Sequence, residues 1–364
     1  MIEASLSISM IELLSRLNRI EDRRFNFVDT PGHSDFIFNA MQGASLVDVA
    51  ILMIDPIKFA ATFEAGTTKQ HIEILKGQGI KDIIVCINKM DMIGWKEETY
   101  KDIVDVLRAH FAERQLDASR TRFVPISAFK GENLTRPIGV EWYRGDSLLA
   151  TILKVKPTEA GLAFKPARLT VQGIFRGSQK KRGNGVHAKV QGGCVSIGNK
   201  LLAVPANVML TVKAIYVGEE KRDIAIAGDT VDLVVTAPTE EEFDSLKKGD
   251  VLCSETYPIP LVRKFKATLT TLKMKHPMLV GSRYSLHVGF HTESAVIKKI
   301  LFEISPLSRK KPRLVANNSV AVVEVHLDSR MPLERYANFE TFGTFQLSDE
   351  FKIIANGTIE ELVE

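Results

Sequence analysis

A parallel α/β layer followed by two antiparallel β-barrels is the fold class that this 364-residue sequence predicts. Three observations predict it. Up to about Ile152, strand-like apolar runs alternate with stretches of helical period, the pattern of a parallel sheet with helices on its faces. Those runs, FNFVD (25–29), VAILMID (49–55), DIIVCIN (82–88) and RFVPIS (122–127), are nearly continuous in Val and Ile, as strands buried on both sides are. Beyond Lys156 the helical period fades, and short alternating runs bounded by glycine or proline take over.

The elements follow in order. In the head, residues 1–24, Ile2, Leu6, Met10, Leu13, Leu17 and Ile20 stand at steps of three and four, one apolar face of an amphipathic helix. Its Ser-Leu-Ser-Ile alternation also suits a strand, and the longer helical match decides for the helix. Residues 25–153 hold the four runs above, with helices around Phe36–Leu46, Thr67–Gly77 and Glu97–Phe111 between them. Residues 154–256 carry ARLTVQGIF, VHAKVQGG, KLLAVP, VMLTVKAIYV and DTVDLVV, read as the first barrel. Residues 257–364 carry FKATLTTLKM, RYSLHVGF, VIKKILFEI, VAVVEVHL, FGTFQLS and FKIIANGTI, read as the second. Between them KKGDVLCSETYPIP, rich in turn residues and proline, reads as a break.

Composition excludes several classes. The longest purely apolar run, near Val49–Ile54, is far too short to span a bilayer, so no membrane partner is expected. Glu3 and Glu12 in the head, with no basic start before an apolar segment, argue against a secretory signal. Cys86, Cys194 and Cys253 are far apart and odd in number; they suit a reducing, cytoplasmic setting as small buried hydrophobes. A net charge of +4 is too mild to indicate nucleic acid by itself.

Three motifs carry chemistry. DTPGH (29–33) follows a strand-like run; alone it is as readily a plain turn as a phosphate site. NKMD (88–91) stands at the next strand end but one. Guanine needs an acceptor for its N1–H and N2 amino group and a donor near O6 and N7; the Asp91 carboxylate and the Asn88 carboxamide supply both, and the Lys89 stem can cover the ring. Alone, NKMD also reads as a solvated turn. SAFKGENL (127–134) follows a third strand, where the backbone of Ser127 and Ala128, with Phe129 beside them, can donate to the base oxygen. Three such motifs in order, each at the carboxyl end of a parallel strand, mark a ligand site.

On these residues the sequence resembles the translational GTPases. DTPGH, NKMD and SAFKGENL look like that family's third, fourth and fifth guanine-nucleotide motifs, and GNKLLAVPANVMLTVKAI and GSRYSLHVGFHTESAVIKKI look like its barrels. The resemblance covers residues 25–364. It implies an incomplete P-loop-type G domain followed by two barrels, with GTP or GDP and Mg2+ as cofactors. It also implies that Asp29 holds magnesium through a water, that the Gly32 amide meets the γ-phosphate, and that His33 orients the attacking water. A turn histidine is the lesser alternative for His33. Catalysis of this kind is positioning and charge stabilisation without a covalent intermediate. Within the family the sequence is most similar to the ribosome-rescue branch that partners Pelota, the heat-shock subfamily-B suppressor-like GTPases. The fragments ESAVIKKI and SRKKPRL tilt it there. Elongation factor one-alpha, a tRNA carrier, and eukaryotic release factor three are near relatives.

The sequence departs from the family in one place. The family begins with a strand and G-x-x-x-x-G-K-[ST], and no such motif stands in these 364 residues. GCVSIGNK (193–200) has Asn199 where lysine belongs and sits in a barrel. The first switch, with its magnesium-binding threonine, is missing before FNFVD, so the sheet should lack its usual first strand and leave a gap. Two readings stand: an enzyme whose upstream coding sequence holds the motif, or a ribosome- or partner-binding protein that has lost hydrolysis. The basic runs QKKRG (179–183) and SRKKPR (308–313) can meet ribosomal RNA phosphates or be solvated loops. His287 and His291 are spaced as metal ligands can be, but on a strand they share no helix face, which argues against zinc.

Overall fold

A computed structural model describes residues 19–20, 23–30, 37–155, 160–177, 183–303, 312–350 and 352–363. Residues 1–18 of the expected head helix therefore lie outside the described residues, as do most of both basic runs, while Ile20, expected on the helix face, is in a strand. At the end of the head, Arg19–Ile20 pairs antiparallel with Arg23–Arg24. The chain divides into two compact units, Met1–Lys156 and Pro157–Glu364.

The first unit is built on a three-stranded parallel sheet, β1 (Val49–Ile54), β2 (Asp82–Ile87) and β3 (Thr121–Pro125), in that order. β2 is buried along its whole length, as its DIIVCI run requires. Around the sheet run α1 (Ile37–Ala44), α2 (Phe59–Glu64), α3 (Thr67–Gly77), α4 (Glu97–Glu113) and α5 (Leu148–Leu153). Ser147 caps α5, its hydroxyl accepting from the Ala150 amide.

One expected strand is not there. FNFVD forms no strand, and among the described residues β1 pairs only with β2. A strand needs a partner strand, and among the described residues none pairs with this segment. The segment keeps its alternation by another route. Phe25 and Phe27, stacked with ring centroids 6.4 Å apart, pack on the core of Ile84, Cys86, Val124 and Leu148 together with Val49, Ile51 and Met53.

In the second unit each barrel closes on itself. The first runs 208–217, 230–236, 185–192, 168–175, 251–254 and 200–204, and the last strand pairs back to the first. Val251–Ser254, inside the stretch read as a break, is thus a barrel strand; its apolar run is too short to show a period. The second barrel runs 261–271, 320–332, 291–303, 283–288, 344–349 and 352–363, closing between the last and the first. Each barrel fills its own core, one around Leu169, Val212 and Leu233, the other around Phe265, Phe345 and Val323. Between them a small cluster of Val251, Cys253, Ile259, Phe339 and Phe342 forms a seam. Cys86 and Cys253 are buried as expected, but Cys194 is exposed, at the start of a short strand paired with Ile224–Ile226.

His287 is no metal ligand: its ring nitrogens bond the hydroxyls of Thr292 and Ser348, each at 2.9 Å. The described residues hold no cluster of three His, Cys, Asp or Glu side chains suited to a metal. Burial pushes the His287 pKa down to about 4. The folded value lies below the unfolded one, so between the two the unfolded chain binds the proton better. Stability is therefore whole above about pH 6.5 and falls as pH drops toward 4, by at most about 3 kcal/mol. Urea unfolding followed by the strand circular-dichroism signal should show this decline, and His287→Gln should flatten it. A decline of equal steepness in the variant would assign it to other groups, of which half-buried His291, its pKa also lowered by desolvation, is one.

Candidate nucleotide site

The register of the parallel sheet builds the site. Ile54 pairs with Ile87 and Ile87 with Pro125, so Asp55, Asn88 and the turn after β3 emerge side by side at the carboxyl edge. The Asn88 amide donates to the Ile54 carbonyl at 2.8 Å and the Met90 amide to the Ile126 carbonyl at 3.2 Å, stitching the three chain ends together.

Asn88 is the joint between two loops. Its Oδ1 accepts from the Lys89 amide at 2.8 Å and from the Ala128 amide at 2.9 Å. Lys89 adopts a left-handed φ of 60° and leads into a short turn, Met90–Ile93, which carries Asp91. The Asp91 carboxylate is largely buried, and Lys130 Nζ stands 3.9 Å from it. Opposite, Ser127 and Glu132 exchange backbone hydrogen bonds of 3.1 and 3.0 Å, with Gly131 at φ +73° allowing the turn between them. The Ser127 hydroxyl accepts from the Lys130 amide at 3.3 Å. Ser127 and Ala128 are fully buried, whereas Phe129 is 85% exposed.

Two expectations change here. The amides of Ser127 and Ala128 are engaged within the protein, by the Glu132 carbonyl and Asn88 Oδ1, so they hold the turn in shape where a base oxygen was expected. The Lys89 ammonium, expected over a base, lies 2.9 Å from Asp55 Oδ2. Burial raises the Asp55 pKa, but the Lys89 hydrogen bond and charge and the Ile57 amide outweigh it, leaving the carboxyl below its usual value.

Of the phosphate-side residues, Asp29 is described and exposed, while Gly32 and His33 lie outside the described residues. Val28 and Thr30 lean on α1 at Gly43, where an added Cβ would come within 2.3 Å of Thr30 Cγ2. A guanine base fits the donor and acceptor set of 88–91. For magnesium the described residues offer a single exposed carboxylate, Asp29, and that does not make an ion site. Sequence reasoning missed Asp55, Trp95 and Glu132. Only Asp55 carried a signal, as a carboxylate ending a strand in register with Asn88.

The profile of the elongation factor Tu GTP binding domain matches residues 4–158, and that of the GTP-eEF1A C-terminal domain matches 264–360. Elongation factor 1-alpha of Desulfurococcus mucosus is 31% identical over 354 residues, spanning 93% of this chain and 78% of that protein. The chain belongs to the translational GTPases. Protein HBS1 of Drosophila melanogaster is 30% identical over 360 residues, spanning 95% of this chain. The chain covers about half of that relative, 52% of its length. The structure of the translation elongation factor SelB from Methanococcus maripaludis in complex with the GTP analogue GppNHp superposes with a TM-score of 0.73 at 20% identity, over 98% of this chain and 76% of that one. That likeness shows the translational GTPase fold, a G domain followed by two six-stranded barrels. Among the described residues no helix is long and apolar enough to cross a membrane.

Proposed function

We propose that this chain is the guanine-reading and barrel portion of a cytoplasmic factor that acts at the ribosome with GTP, in the rescue branch beside a Pelota-type factor. The observation that carries the nucleotide reading is Asn88, whose one oxygen binds the amides of both Lys89 and Ala128 and so fixes Asp91 against the 127–132 turn. Support for the rescue branch is the HBS1 match across nearly the whole chain. The tRNA-carrier alternative, supported by the elongation factor 1-alpha match, predicts binding to aminoacyl-tRNA and none to a purified Pelota-type factor. A pull-down with each separates them.

A second reading, a partner-binding protein without hydrolysis, has its own support. The Lys89 ammonium is held by Asp55 at 2.9 Å, and the 364 residues hold no G-x-x-x-x-G-K-[ST]. Upstream coding sequence with that motif in frame would favour the enzyme.

Base selectivity tests the site itself. Asp91 can accept only from the guanine edge, so Asp91→Asn should exchange guanine for xanthine preference by roughly a hundredfold or more. Titrations with millimolar GDP and XDP measure it. Unchanged preference for GDP in the variant would remove Asp91 from the role.

A further inference from the structure

Trp95 holds a backbone conformation that bulky residues rarely adopt, with φ at +53°, just past the turn that carries Asp91. Every polar group it owns is engaged. Its amide donates to the Met90 carbonyl at 2.9 Å, and its carbonyl accepts from the Trp142 indole at 2.9 Å. Its own indole Nε1 donates to Glu132 Oε2 at 3.2 Å, across 37 positions of sequence. Glu132 is in turn the residue that exchanges both backbone hydrogen bonds with Ser127. Trp142 is seated against Tyr100 and Tyr143, with ring centroids 5.1 and 5.9 Å away, and the Tyr100 hydroxyl donates to the Phe123 carbonyl of β3 at 3.2 Å.

We propose that Trp95 is a positioning residue for base recognition: through its indole bond to Glu132 it sets the distance between the 88–91 loop and the 127–132 turn. The proposal rests on the guanine reading of those two loops. Asn88 ties the loops at their base, beside the sheet. Lys130 Nζ, 3.9 Å from the Asp91 carboxylate, is a second and longer contact between them. Trp95 adds a hydrogen-bonded tie on the other strand of the turn, at Glu132, and a bulky residue held at positive φ is the cost of bringing its indole round to that carboxylate. Locking first-contact side chains through neighbours in this way is how a site keeps its geometry without its ligand.

A brace that served only stability would weaken guanine and adenine binding alike. A spacer set for guanine contributes to the preference between them, and this difference is the readout. Trp95 and Trp142 are the chain's two tryptophans, so the 364-residue chain labelled with 5-fluorotryptophan gives two fluorine resonances, both inside this network. Titration with millimolar GDP should move the Trp95 resonance of the parent chain at lower concentrations than ADP does. In Trp95→Phe, which keeps a ring but no N–H, Trp142 remains the reporter. There GDP should bind about tenfold more weakly and its advantage over ADP should collapse. Glu132→Ala should behave the same way, while Glu132→Gln, which still offers an oxygen to the indole, should stay within about twofold of the parent. The dispersion of the Trp142 resonance checks that each variant is folded. If Trp95→Phe and Glu132→Ala keep the parent's GDP preference, or Glu132→Gln loses it, the proposal fails while the base site stands. If the parent chain itself shows no preference for GDP, the guanine reading fails and the proposal goes with it.

Discussion

Glu334→Ala should unfold the barrel unit at markedly lower urea, a loss of about 3–5 kcal/mol, the range for breaking one side of a buried ion pair. Arg168 sits at the start of the first barrel and is almost wholly buried. Its guanidinium gives Nε and Nη2 to Glu334 Oε1 at 3.2 and 2.8 Å, and Nη1 to the carbonyls of Ala167 and Tyr257 at 3.0 and 2.7 Å. Its Cζ lies 5.3 Å from the centroid of the Phe339 ring. One cation thus joins the first barrel, the linker at Tyr257 and the segment that follows the long strand ending at Pro332. Removing the carboxylate leaves the guanidinium buried with carbonyls alone. The double change Arg168→Met with Glu334→Leu removes both charges and should recover most of the loss, because the desolvation cost disappears along with the attraction. The measurement is clean because both tryptophans lie in the first unit. Their emission follows that unit while the far-ultraviolet strand signal is dominated by the barrels. A Glu334→Ala midpoint unchanged in the strand signal would mean that water reaches Arg168 and the seam is looser than it looks.

The same contrast between local and distant causes decides what could be read from the sequence. β2 was legible because a buried strand is a local pattern, and DIIVCI states it in six letters. The barrels were legible because alternation bounded by glycine and proline repeats eleven times before the chain ends. FNFVD was misread because strand propensity is local and pairing is not: the residues suit a strand, and among the described residues no strand pairs with them. Val251–Ser254 failed the other way, since a four-residue strand shows no period yet pairs on both sides. The short helix Glu240–Ser245 did leave a sign, Thr239 three residues before Glu242, whose amide its hydroxyl accepts at 3.2 Å. For the site, NKMD and SAFKGENL named the two loops, 88–91 and 127–132, that the structure brings together at the carboxyl edge of the sheet. The bonds that hold them, Lys89 to Asp55 across 34 positions and Trp95 to Glu132 across 37, depend on strand register and have no spacing that a sequence could show.

GTP should bind the 364-residue chain no tighter than millimolar, and the chain alone should not turn it over. Asn88 and Asp91 are the side chains proposed to meet the base, which is the uncharged end of the ligand. In sites of this family the triphosphate is held by oriented amides, a lysine and a magnesium ion, and those contacts carry most of the binding charge. Here the Lys89 ammonium is held by Asp55, and the magnesium side offers the exposed Asp29 carboxylate alone among the described residues. A lone outer-sphere carboxylate holds so strongly hydrated an ion weakly. Charge-assisted hydrogen bonds contribute roughly 1.5–3 kcal/mol each, so the loss of three takes a micromolar site, near −8 kcal/mol, to millimolar or beyond. Without a fixed γ-phosphate, His33 would have no target toward which to orient water. Calorimetric titration with GTP and magnesium gives the affinity, and phosphate release gives the turnover. Micromolar binding, or turnover that His33→Ala abolishes, would show that residues 1–24 supply a phosphate grip that no glycine-rich loop in their sequence announces.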